Sequence, residues 1–330
     1  MRKLILLVVV AATLYGGYWF VGRAQVQEGL IGAIADINAS GTQLTYSTLN
    51  TRGFPSRFDT TITDLVFNDP VSRIRWDAPF LQMFALAYRP NEVIAVFANE
   101  QVITVDGETF TLFTDDMRAS GKVRANAALS FVNTTVTMDN PRLRTEDGAE
   151  LAMASLLAAT RLTPDTTQTY DVFLDARSVV LPDAIRHLID PANTQPPLIQ
   201  SLRLDTVVGL DAPIELNTQG TVAPRIETVN IKEIAAIWAD MSVSVIGDLA
   251  VDAAGFAEGS VTLSARNWQQ ALDLAVASSL LDADVHLTYT TIATALDETP
   301  HITDTLTVTL MISDGQMRLG PIPIGPAPRL

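Results

Sequence analysis

The chain of 330 residues contains no cysteine. That excludes a disulfide framework, a thiolate nucleophile, a cysteine-based zinc or iron–sulfur site and a lipidated N-terminal cysteine. Histidine is scarce: His187, His286 and His301 lie far apart, and none belongs to a His-x-x-x-His or His-Glu-x-x-His pattern. The phosphate-cradling glycine loops, Gly-x-Gly-x-x-Gly and the Walker-type lysine loop, are missing, as is a Gly-x-Ser-x-Gly nucleophile elbow. Positive charge is also in short supply, with 22 basic residues against 37 acidic ones and a net charge of −15. A field of that sign repels nucleic acid, whose binding needs basic patches to displace counterions. It keeps a folded domain soluble without further explanation. The reading is therefore a non-enzymatic protein with no cofactor and no nucleic-acid partner.

Against these absences stands one long hydrophobic run. Leu4 to Val21 carries no charged side chain and follows Arg2 and Lys3. Eighteen residues at 1.5 Å each make a helix of roughly 27 Å, close to the roughly 30 Å of a hydrocarbon core. The basic pair favours an N-terminus in the cytoplasm, which places the rest of the chain on the far side. A cleaved secretory signal is the competing interpretation, but Gly22-Arg23-Ala24 matches a cleavage site poorly because Phe20 and Val21 crowd it. Tyr15, Tyr18, Trp19 and Phe20 gather at the far end, where aromatic rings prefer the headgroup region. The expectation is an uncleaved anchor over residues 1–23, single-pass in an inner membrane, with a periplasmic C-terminal domain.

Residues 24–41 predict a separate juxtamembrane helix, with Val26, Leu30, Ile31, Ile34 and Ile37 as its apolar positions and Ser40-Gly41 as its stop. From Thr42 the texture is β: short runs of Thr, Val, Ile, Phe and Leu broken by Gly, Pro, Asn and Asp. In Thr305–Ser313, Leu306, Val308, Leu310 and Ile312 alternate with polar neighbours, and Asp314-Gly315 then signals a hairpin. Asp106-Gly107 signals another. Helices are predicted at Pro182–Ile189, Val229–Ala239 and Trp268–Leu281, the last with Asn267 and Gln270 spaced as a capping box. The fold class is α+β and β-dominated: a long curved antiparallel meander of one or more sheets, with a few helices on one face after a transmembrane helix. Two halves, 42–190 and 198–330, are expected on either side of a proline-rich linker at 191–197.

Few residues suggest chemistry. Acidic pairs such as Asp115-Asp116 and Glu146-Asp147 sit in turn-like sequence and read as solvated. Asp282-Ala283-Asp284 lacks the glycine and terminal glutamate of a calcium loop. In Gly53–Asp59, Pro55 holds Phe54 extended, and Arg57 and Asp59 project from one face of a strand. Trp76 begins the densest apolar stretch, which continues through Phe80 and Phe84. A possible ligand or recognition surface is thus Phe54, Arg57, Asp59, Trp76, Phe80, Phe84, Leu306, Val308, Leu310 and Ile312, each with an ordinary packing role as its alternative. Strand edges near Thr60–Phe67 or Thr305–Ser313 offer places for strand addition by a partner.

Gly-Phe-Pro-Ser-Arg-Phe-Asp at 53–59, Trp-Asp-Ala-Pro at 76–79, Tyr-Arg-Pro-Asn-Glu-Val-Ile at 88–94 and Asp-Gly-Gln-Met-Arg-Leu-Gly-Pro-Ile-Pro at 314–323 resemble segments of an uncharacterised bacterial family of membrane-anchored proteins, a domain of unknown function that is mostly alphaproteobacterial. The last of these segments is also similar to the C-termini of AsmA-like envelope proteins. The resemblance implies a periplasmic β-rich domain on an inner-membrane anchor and carries no catalytic residues with it. The expected function is a structural or partner-binding envelope module. Lipid or hydrophobic-ligand handling is the alternative, and a hydrolase of unrecognised type is a second one.

Overall fold

A computed structural model describes residues 1–216, 223–278, 290–291, 295 and 304–330. The chain divides into two compact units, Met1–Ala125 with Val136–Gly148, and Asn126–Thr135 with Ala149–Leu330. It is β-dominated and antiparallel, as its alternating sequence predicts.

The first unit begins with α1 (Arg2–Ala39), a single 38-residue helix. The anchor and juxtamembrane helix read as separate elements are therefore one. No proline interrupts residues 1–39, so every internal N–H keeps its carbonyl partner. The helix stops at Ser40 and Gly41, whose φ of +101° suits a residue without Cβ. Asn38 ties this end to the first strand: its Nδ2 donates to the Leu44 carbonyl at 3.1 Å, and its Oδ1 accepts from the Leu44 N–H at 2.6 Å.

The sheet of this unit is built on two 13-residue strands. After β1 (Gln43–Thr45) and β2 (Thr48–Arg52), β3 (Arg57–Asp69) pairs along its length with β4 (Ile74–Leu86). β1 and β2 share the other edge of β3. β5 (Arg89–Phe97) continues from one end of β4 and β6 (Glu100–Val105) from the other. β7 (Glu108–Phe113) pairs with β6, and β8 (Asp116–Val123) with β5. The chain passes between the units along β9 (Phe131–Asp139), and β10 (Arg142–Thr145) then pairs with β7. Phe58, Ile62, Leu65, Ala78 and Leu112 form buried apolar positions. The β6–β7 turn has Asp106 at φ 52° and Gly107 at φ 89°, the left-handed pair that tight hairpins require.

The second unit contains β11 (Glu150–Ala152), β12 (Ser155–Leu162), β13 (Thr169–Val180), α2 (Asp183–Ile189), β14 (Leu198–Leu210), β15 (Ile226–Trp238), β16 (Met241–Val251), β17 (Ala257–Arg266), α3 (Trp268–Ala277), β18 (Thr305–Ser313), β19 (Gln316–Leu319) and β20 (Ile322–Pro326). From β12 to β20 each strand pairs antiparallel with the next, the meander expected from the short turns. α3 covers two apolar clusters. Trp268 and Leu272 pack with Ala265, Leu306, Val308 and Leu319, while Ala271 and Leu274 pack against the cluster of Trp238 and Met241.

Four expectations need correction. Val229–Trp238 lies in strand β15 and Ala239 in the turn after it, so this segment is not a helix. Two residues, Lys232 and Glu233, stand between Ile231 and Ile234 where β16 offers only Ile246, so the strand carries a bulge. The bulge shifts the buried phase from Val229 and Ile231 to Ala236 and Trp238. In the sequence that phase shift mimics the three-and-four spacing of a helix. Segment 191–197 is not a linker between halves, because it joins β13 and β14, which pair directly. Asp190 is fully buried and fastens the loop: its oxygens accept from the backbone N–H groups of Thr194 (2.9 Å) and Gln195 (2.7 Å) and from the Thr194 hydroxyl (3.0 Å). Trp238 Nε1 donates to the Pro196 carbonyl at 2.8 Å. No capping box forms at α3, since Asn267 adopts a left-handed conformation and turns its amide to the Asp240 carbonyl. Finally, the proposed edges are largely taken: β3 lies between β4 and β1–β2, and β18 pairs with β17 along its length and with β19 over Leu310–Ser313. The end of the predicted 268–281 helix, the Asp282–Asp284 segment, His286 and His301 lie outside the described residues.

Burial acts to raise the Asp190 carboxyl pKa, but the hydrogen bonds from Gln195 and Thr194 and the Arg186 charge together outweigh it and hold the group below the usual carboxylate range. A depressed folded-state pKa stabilises the fold at neutral pH. That contribution is lost as pH falls from the unfolded value of about 3.9 through the folded one. Asp190→Asn is expected to cost about 1–3 kcal/mol at pH 7. The cost should begin to shrink as pH falls below about 4, where Asp190 of the unfolded chain takes up a proton while the folded carboxylate is still ionised, and shrink further as the folded group is protonated in turn. Urea denaturation of the detergent-solubilised chain at both pH values checks it.

Candidate functional site

The feature that sets the first unit apart is the junction between α1 and the β3–β4–β5 face. Trp19 is the one residue of α1 with a buried side chain, at 3% exposure, although it lies in a run of exposed apolar residues. Its ring packs with Phe58 and Ala87, and its Nε1 donates to the Arg57 carbonyl at 2.8 Å. One residue earlier, the Tyr18 hydroxyl donates to the Ala87 carbonyl at 2.7 Å. Gly22, one turn on, lies so near Phe58 that a Cβ there would stand 2.8 Å from its Cζ. Val26 joins the same cluster, and Gln27 Nε2 reaches the Leu49 carbonyl at 3.3 Å. Trp19, Gly22, Val26 and Gly29 recur at i, i+3, i+7 and i+10, one stripe of a helix.

The β2–β3 turn completes the junction. Gly53 at φ 108° lets Arg57 N–H reach the Gly53 carbonyl at 3.0 Å, and the Phe54–Pro55 peptide is cis. A Cβ at Gly53 would lie 2.8 Å from the Arg57 carbonyl oxygen. Phe54 lies edge-on to Trp19, with centroids 5.4 Å apart, and stacked on Phe20 at 6.1 Å. The β4–β5 turn is fastened to it, because Ala87 N–H donates to the Ser56 carbonyl at 2.9 Å.

Beyond the junction, a groove of about 270 Å³ opens between α1 and the sheet. Val26, Gly29 and Leu30 line one wall, and Phe58, Met83 and Val93 the other. A second concavity, of about 500 Å³, lies in the second unit beside Arg161, Asp171, Asp205 and Lys232. Arg161 Nε lies 2.8 Å and Lys232 Nζ 3.4 Å from the Asp171 carboxylate. Burial acts to raise the Asp171 pKa, and the Arg161 hydrogen bond and the Lys232 charge more than offset it. Its charges are thus internally matched.

The residues singled out in the sequence separate. Phe54 belongs to the junction. Arg57 and Asp59 form the expected same-face ion pair at 2.7 Å, and the Arg57 guanidinium also lies 6.0 Å above the Phe84 ring. This trio occupies the face of β3–β4 opposite Phe58. Trp76 donates to Gln101 Oε1 at 2.9 Å and packs on Phe97, and Phe80 is half-buried. Leu306, Val308 and Ile312 are buried core and Leu310 packs against them, so this face is covered by α3 and by the segment around Ala327. Asp116 pairs with Arg118, and Asp115 accepts from Asn140. Among the described residues no cluster of three or more His, Asp or Glu side chains suits a metal ion. Sequence reasoning missed Trp19 and Gly22 as packing residues, although their stripe with Val26 was there to be read.

A family model described as an uncharacterized protein conserved in bacteria (DUF2125) matches residues 19–328. The chain belongs to this family. The match begins at Trp19, so the DUF2125 region contains the residue that fixes α1 to the sheet. No curated protein and no solved structure matches the chain.

Trp19→Ala is expected to destabilise the first unit by about 3–5 kcal/mol, the range for emptying a buried Trp site. A chain starting at Ala24 should lose at least as much. Limited proteolysis of each variant against wild type, with cleavage followed within β3–β5, measures the loss.

Proposed function

We propose that this DUF2125 protein is a membrane-anchored, non-enzymatic envelope module that presents its β-rich units to partner proteins on the periplasmic side of the inner membrane. The observation that carries the reading is the Trp19 junction. α1 is long and apolar enough to cross a bilayer, with a mean hydropathy of 2.1 in its best window, and only 6% of that window is buried. An apolar helix that exposed asks for a nonpolar solvent, and a backbone whose hydrogen bonds are all internal suits lipid. Arg2 and Lys3 at its start favour a cytoplasmic N-terminus. Cleavage near Ala24 would remove Trp19 from its cluster, which argues for an anchor that stays attached.

An alkaline phosphatase fused after residue 40 should then be active, and a reporter that works only in the cytoplasm should be silent there. The opposite pair of results overturns the orientation. In-cell crosslinking from exposed strand positions of the full chain should capture discrete protein partners.

A second reading, lipid or hydrophobic-ligand handling, draws its support from the groove between α1 and β3–β5. Its lining is mostly apolar, and it begins within two turns of the residues expected at the membrane boundary. Burial there contributes about 0.8 kcal/mol per CH₂ group. The space beside Gly29 is open, since a Cβ would meet nothing within 4 Å. Gly29→Trp should therefore fill the groove and reduce the phospholipid or fatty acid retained by the detergent-purified chain, as read by mass spectrometry of organic extracts. Equal lipid in both proteins removes this reading and leaves the partner-binding one standing.

A further inference from the structure

We propose that the loop tips at Phe54–Pro55 and Tyr88, together with Phe20 of α1, form a surface that rests in the phospholipid headgroup layer of the leaflet through which α1 leaves the membrane. The inference depends on α1 being a membrane span, as proposed above.

Length is the first argument. The sheet takes hold of α1 at Tyr18 and Trp19, and a Cβ at Gly16 or Gly17 would meet nothing within 4 Å. The free helix, Arg2 to Gly17, is thus about 24 Å long at 1.5 Å per residue. A hydrocarbon core of roughly 30 Å exceeds it by about one turn, and tilt shortens the projected helix further. The turn that holds Tyr18, Trp19, Phe20 and Val21 must then sit at the edge of the hydrocarbon. The loops that grip this turn are carried to the same depth.

Side-chain chemistry agrees. Phe20, Phe54 and Tyr88 are 61%, 58% and 65% exposed, and Phe20 and Phe54 stack on one another. Aromatic rings are favoured at the headgroup boundary. The charge around them runs against that of the chain as a whole. Segments 18–27, 52–59 and 86–92 contain Arg23, Arg52, Arg57 and Arg89 but only Asp59 and Glu92 as carboxylates. Glu92 is shared between Arg89 and Lys122. In a chain of net charge −15, a local surplus of arginine suits phosphate groups.

The cysteine-free sequence permits a direct test on the full chain. Single variants Ser56→Cys, Tyr88→Cys, Val71→Cys and Val8→Cys would each carry an environment-sensitive fluorophore. They would be reconstituted in phosphatidylcholine–phosphatidylglycerol vesicles with and without nitroxide-labelled phospholipid. Ser56 is exposed and enters the junction through its backbone, so its replacement leaves Phe54 in place. Val71 is 92% exposed in the turn at the far end of β3, roughly 40 Å along the strand. Probes at 56 and 88 should shift to the blue and lose most of their emission to shallow nitroxide. The probe at 71 should be unaffected, and the one at 8 should respond to deep nitroxide. Quenching at 8 with water-like, unquenched emission at both 56 and 88 overturns the resting surface while leaving the span intact. No quenching at 8 removes the span and the surface with it.

Discussion

The first unit depends on one indole placed in a sheet. Trp19 belongs to a helix whose neighbouring residues are apolar and outward-facing, yet its ring is enclosed by Phe58 and Ala87 and its N–H is satisfied by a strand carbonyl. An indole can be buried at low cost only when that N–H finds an acceptor. The Gly53 turn delivers it by presenting the Arg57 carbonyl at the start of β3. The positive φ at Gly53, the missing Cβ at Gly22 and the small Ala87 are geometric conditions for this one contact.

The second unit solves a different problem. Its meander exposes a row of aliphatic side chains on β17 and β18, and an uncovered row of that kind invites association. α3 closes the gap, its Trp268 and Leu272 reaching one cluster and its Ala271 and Leu274 the next. At the C-terminal edge, β20 is flanked and interrupted by Pro321, Pro323, Pro326 and Pro328. Proline withholds the N–H that a further strand would need, so the edge is poorly suited to extension.

How much of this was legible follows from the physics of each element. Strict alternation in Thr305–Ser313 gave its bounds and its buried face, and the Asp-Gly pairs gave two hairpins, because both signals are local. β15 was misread because a bulge at Lys232–Glu233 reverses the alternation midway, and a phase slip of one residue resembles a helical stripe. The apolar row of β18 was seen and helices were expected on one face of the sheet, but which helix covers that row is set by tertiary packing and is not written in either segment alone. Trp19 was recognised as an aromatic at a membrane boundary. That half of its ring chemistry is independent of the strand carbonyl waiting for its N–H, which no single stretch of sequence encodes.

The uninterrupted course of α1 has a mechanical consequence. From Trp19 to Ala39 the helix continues for about 30 Å beyond its grip on the sheet, and its last turn is fastened again at Leu44. With two fixings on one rod, the rod and the strands it touches turn as one lever. A tilt of about 10° in the apolar half of the helix swings the distal end through roughly 5 Å. In the membrane-anchored reading proposed above, interfacial aromatic anchors such as Tyr18 and Phe20 help to set the tilt of the helix, and the rigid course of α1 passes that tilt on to β1–β3.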